Sequence, residues 1–89
     1  MGHACELETS MMLALRPELV RTDLIEDDPE STPAAVKSIF WARDFGRRTD
    51  HGAVGYPEQA TAEKGRKMLD AAIAAVTKVC HGVLELPIG

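Results

Sequence analysis

Histidine, cysteine and glutamate side chains bind metals and move protons, and residues 3–8 hold His3, Cys5, Glu6 and Glu8 in the stretch HACELETSMM. His3 and Glu6 stand three apart, the spacing that puts two side chains on one helical face, so a metal site could begin here. A zinc site of the usual kind needs three or four ligands, and no other tight cluster in the sequence supplies them. Cys5 could act as a nucleophile with His3 as its base. Residues two apart diverge on a helix, however, and no carboxylate is fixed to orient the imidazole. His3 could instead be an acid–base group at a loop-to-helix junction facing a cleft. The plain structural alternative is that Glu6 and Glu8 decorate a helix start, Cys5 packs, and His3 caps or hydrogen-bonds. The residues alone leave the acid–base and structural readings both open.

A second stretch, DHGAVGYPEQATAEKG at residues 50–65, runs from a glycine-containing loop toward a helix start. Such a junction can hold an anion. The glycine spacing matches neither the phosphate-binding loop nor the dinucleotide fingerprint. The expectation is a strand ending in a turn that aims the last helix, with Gly52 and Gly55 needed for backbone angles. His51, between Asp50 and Gly52, reads as a surface loop histidine.

The elements that must position these residues follow from periodicity. Glu6 to Leu15 reads as a helix, with Leu7, Met11 and Leu15 stacked at spacing four and Ala14 beside them. Acids in its first turn suit the positive end of the helix dipole, and Pro17 marks its finish. Residues 21–36, RTDLIEDDPESTPAAV, are acidic and carry two prolines, which predicts a loop. VKSIFWA, Val36 to Ala42, is a short strand candidate. Thr61 to about Leu86 reads as a long helix with Thr61 as N-cap and Glu63 in the first turn. Leu69, Ala72, Ile73, Val76, Val79, Cys80, Val83 and Leu84 form its apolar stripe. No internal repeat or low-complexity tract is visible.

That inventory does not close a core. A lone buried strand needs neighbours on both edges, and a polar loop of that length is uncommon in so small a domain. Residues 1–89 are therefore expected to be the C-terminal part of a single larger α/β domain, cut short at its start.

Composition narrows the function classes. The 89 residues carry a formal charge of −4 and are 45% hydrophobic, which excludes a disordered chain and disfavours nucleic acid or an anionic membrane as partner. Arg43, Arg47 and Arg48 sit among acids rather than forming a stripe. Cys5 and Cys80 are too few for a disulfide framework. No apolar run approaches the roughly 18 residues of a membrane span, and no signal-peptide pattern opens the chain. The expectation is a cytoplasmic protein in a reducing setting.

HACELETSMMLALRPELV resembles the segment of creatininase-family amidohydrolases that reads His-Ala-Gly-x-x-Glu-Thr-Ser, followed by an apolar helix and a Pro-x-Leu-Val ending. GAVGYPEQATAEKGRKMLDAAI is similar to that family's later Gly-x-x-Gly-x-Pro and Ala-Thr-Ala-Glu-Lys-Gly run. The resemblance implies a three-layer α/β/α fold, of which this chain would contribute two helices and one or two short strands. It also implies hydrolysis of a carbon–nitrogen bond in a small cyclic amide or formamide-like substrate. The implied cofactor is a pair of divalent metals, zinc with manganese or iron, that activates a water. His3 matches the pocket histidine, implied to transfer protons or contact substrate. Glu8 matches the motif glutamate, implied to support it, and Thr9 and Ser10 are implied to fix the helix start.

The departures are specific. The family's metal ligands come from a Glu-x-His with a later Asp, and from an Asn-Gly-His stretch. None is in this chain, so no metal ligand is assigned to it. Cys5 replaces the usual glycine, and Tyr56 stands where many members have aspartate. The family also includes formamide-hydrolysing deformylases, a peptidase-like member and a hydrolase of an inositol-derived ketone, so the substrate is left open. The isolated chain is expected to be inactive, and its expected partners are a homo-oligomer, a hexamer in the family, or a missing N-terminal half. The other reading is a non-catalytic α/β remnant acting as an interaction or oligomerisation piece.

Overall fold

A computed structural model describes residues 2–29, Ala35 and residues 45–88. Two α-helices dominate: α1, Glu6–Leu15, and α2, Ala62–Leu84. Short 3-10 turns occupy Pro17–Leu19, Thr22–Leu24, Phe45–Arg47 and Pro57–Gln59. The bounds of α1 coincide with those expected from its spacing, and Pro17 opens the turn that follows it. α2 ends at Leu84, short of Leu86. Thr61 caps it as expected, its hydroxyl accepting from Lys64 N–H at 3.1 Å.

Sheet structure is nearly absent among the described residues. Pairing is limited to two isolated antiparallel bridges, His3 with Val54 and Asp28 with Gly55. The strand expected over residues 36–42 lies outside the described residues. The strand expected within residues 50–65 is reduced to Val54 and Gly55, for a local reason. Gly52 and Gly55 take φ of 100° and 124°, and Ala4 takes φ of 47°, so the chain turns away on both sides of the pairing before a ladder can extend. The described residues accordingly do not display three α/β/α layers.

α1 packs across the start of α2, and the contact is made by small residues. Ser10 is completely buried, and a side chain at Gly65 would collide with the Ser10 carbonyl. The expected apolar face of α1 is therefore displaced. Leu7 and Met11 are half-buried and Leu15 is exposed, because the axis of closest approach runs through Ser10. Among the described residues, Cys5, Val54 and Pro57 complete the buried set beside it.

The two helices differ in length, and this decides what stays uncovered. At 1.5 Å rise per residue α1 spans ~15 Å and α2 ~35 Å, so α1 can cover less than half of its partner. From Asp70 to Ile88 every residue is exposed, including Ile73, Val76, Val79 and Val83 of the apolar stripe. Among the described residues no helix is long and apolar enough to cross a membrane.

Candidate functional site

The residues singled out at the start of the chain are brought against the glycine loop. His3 and Val54 exchange both backbone hydrogen bonds, His3 N–H donating to Val54 at 2.9 Å and Val54 N–H donating to His3 at 2.8 Å. Val54 is buried while His3 is exposed. Gly2 must lie flat on the Val54 carbonyl, since a side chain there would collide with it. One residue further on, Gly55 packs on Cys5, where an added Cβ would stand 2.9 Å from the Cys5 Cβ. Its positive φ and this approach both require glycine.

Glu8 reaches back to the start of its own helix. Its carboxylate accepts from Cys5 N–H at 2.8 Å, one half of a capping box. Glu6 points to the other helix instead, pairing with Lys64 Nζ at 2.8 Å. Lys64 also donates to the Gln59 carbonyl at 2.8 Å. Ser10 accepts from Thr61 N–H at 3.2 Å, satisfying one of the donors that a helix start leaves open. The two short stretches that stood out in the sequence thus form a single interlock, with His3 at its exposed edge.

The acidic loop has a comparable structural task. Asp28 and Gly55 exchange backbone bonds, both of 2.9 Å. The Asp28 carboxylate accepts from the Thr49 hydroxyl at 2.9 Å and stands 3.7 Å from His51 Nε2. Thr49 Oγ1 accepts in turn from the N–H groups of His51 and Gly52. Asp27 accepts from Glu58 N–H at 2.8 Å. His51 is an exposed loop residue in this arrangement, and Asp27 and Asp28 act as straps on the segment around the glycine loop. Sequence reasoning missed this, since nothing in an acidic, proline-containing segment says which distant amides it will meet.

An open groove of about 400 Å³ lies beside the interlock, lined by Gly2, Cys5, Leu7, Tyr56 and Met68 among others. Cys5 and Cys80 are both free thiols, the first buried and the second exposed. Among the described residues no three histidine, cysteine, aspartate or glutamate side chains come together as a metal would require. His3 and Glu6 do not share a helical face, because the helix starts after Cys5 and leaves His3 outside it.

A family model described as creatinine amidohydrolase, the creatininase family, matches residues 1–80. The chain belongs to the creatininase family. The match spans both stretches of the interlock, so the creatininase resemblance and the tertiary contacts concern the same residues. Comparison with curated proteins and with solved structures found no significant match.

Several residues of the creatininase interlock went unremarked in sequence reasoning, among them Ala4, Lys64 and Gly65. A glycine inside a helical pattern is a usable signal, since it costs helix stability unless another backbone approaches it. Lys64 carried no such signal, and neither did Ala4, whose conformation is set by contacts on both sides.

Proposed function

We propose that this chain is part of a metal-dependent amidohydrolase that cleaves a carbon–nitrogen bond in a small cyclic amide or formamide-like molecule, and that His3 is its pocket acid–base residue. The observation that carries the reading is the family match over residues 1–80, joined to the interlock that holds His3 at an exposed edge. An imidazole can both accept and donate a proton, which amide cleavage needs when the leaving nitrogen departs. Glu8 supports it indirectly, since its bond to Cys5 N–H fixes the helix start two residues from His3.

The described residues do not by themselves fit a metal centre. The metals of the family reading would be held by other residues. The three-layer fold, the cytoplasmic setting, and the completion of the site by an N-terminal half or by further copies of the chain belong to the same proposal.

The test is a chimera that supplies the Glu-x-His, Asp and Asn-Gly-His segments of a creatininase, assayed against cyclic amides and N-formyl compounds. His3→Ala should retain the metals and lose ~10²- to 10⁴-fold in turnover, the range for removing a general acid–base group. His3→Gln should recover little, because an amide cannot shuttle a proton. Full turnover in His3→Ala refutes the assignment, and loss of metal makes His3 a ligand.

One observation favours a second reading. The uncovered stripe of Ile73, Val76, Val79 and Val83 suits a non-catalytic remnant whose role is association. A chimera that assembles with metals bound yet hydrolyses none of the amides would favour it.

A further inference from the structure

Ala4 is the one described non-glycine residue with positive φ, at 47°. An L residue in the left-handed region is strained, because its Cβ crowds the backbone, and such residues persist only where their surroundings over-determine them. Here both neighbours are tied down. On one side His3 is fastened by two backbone bonds to Val54. On the other, Cys5 N–H is held by Glu8, and the Cys5 side chain is buried against Gly55. The Ala4 carbonyl also accepts a long bond of 3.4 Å from the Thr9 hydroxyl.

The consequence is a sharp change of direction within a few residues. Val54 and Cys5 are buried, while His3, bridged to the first and two residues from the second, is exposed. Were Ala4 extended, the chain would run on along residues 52–54 and α1 could not begin at Glu6 over Gly65. The left-handed turn reconciles a bridged His3 with a helix that starts immediately afterwards.

We propose that Ala4 is a positioning residue, its clamped left-handed turn being what holds His3 outward at the edge of the interlock. The inference rests on the reading of His3 as the pocket acid–base group. It concerns what places the imidazole rather than what the imidazole does.

The experiment uses the 89-residue chain with Ala4→Val, Ala4→Gly and, by chemical synthesis, D-alanine at position 4. Amide hydrogen exchange at His3 and Val54 is compared with exchange along α2. Acylation of His3 by diethyl pyrocarbonate is compared with that of His51 and His81, which are also exposed. A β-branched residue tolerates the left-handed region worst, so Ala4→Val should speed exchange at His3 and Val54 about tenfold. It should change acylation of His3 and leave His51 and His81 alone. Glycine, which adopts positive φ without strain, should keep the bridge about as protected as in the natural chain, the relieved strain offsetting the added backbone freedom. D-alanine, which prefers positive φ, should keep the bridge at least as protected as in the natural chain. The proposal is overturned if Ala4→Val leaves the bridge intact, if D-alanine loosens it, or if faster exchange is shared equally by α2. None of these readouts depends on hydrolysis, so failure of the His3 assignment would appear separately, in the turnover of His3→Ala.

Discussion

Two glycines on one helix should respond to alanine with opposite sign. In a free helix either replacement stabilises, since Ala exceeds Gly by ~1 kcal/mol in helix propensity. At Gly82 nothing lies within 4 Å of the added Cβ, so Gly82→Ala should show a gain of about 0.5 to 1 kcal/mol, reduced by fraying near Leu84. At Gly65 the Cβ would meet the carbonyl group of Ser10 and stand 2.9 Å from Met11 N, all backbone atoms that no rotamer change can move aside. The helices must part. Parting them strains a packed contact, at ~1–3 kcal/mol, and lengthens the Ser10–Thr61 bond, at ~1–3 kcal/mol for a buried group left unpaired. After subtracting the helix gain, Gly65→Ala should destabilise by about 1 to 5 kcal/mol. The assay is urea unfolding followed by far-ultraviolet circular dichroism. All variants are held at one chain concentration, because self-association would shift the midpoints. A midpoint that rises as much for Gly65→Ala as for Gly82→Ala would refute the close crossing of α1 over α2.

Two further outcomes are expected. Glu8→Ala should cost ~0.5–2 kcal/mol through the lost bond to Cys5 N–H, while Glu8→Gln, which keeps an acceptor oxygen, should cost less in the same unfolding assay. The isolated chain should self-associate through the uncovered half of α2, giving a concentration-dependent mass by sedimentation equilibrium, and Val76→Lys should shift it toward monomer. A concentration-independent monomer with a sharp calorimetric transition would contradict that expectation.

The sequence by itself determined the two helices and the family. Helix α1 was legible because its acids, apolar spacing and Pro17 all act within a turn or two of the backbone. α2 was legible from Thr61 and a stripe of constant period. The creatininase resemblance was legible for a similar reason, since HACELETS and ATAEKG are contiguous stretches. What the side chains in those stretches meet was not legible. Glu6 pairs with a lysine 58 residues away and Ser10 accepts from an amide 51 residues away, so neither partner can be read from local spacing. The apolar face predicted for α1 missed its centre for the same reason. Leu7, Met11 and Leu15 share a stripe, but the absence of a Cβ at Gly65 draws the crossing onto Ser10. The strained turn at Ala4 is the clearest case. Nothing about alanine asks for positive φ, and only the simultaneous hold of Val54 on His3 and of Glu8 on Cys5 imposes it.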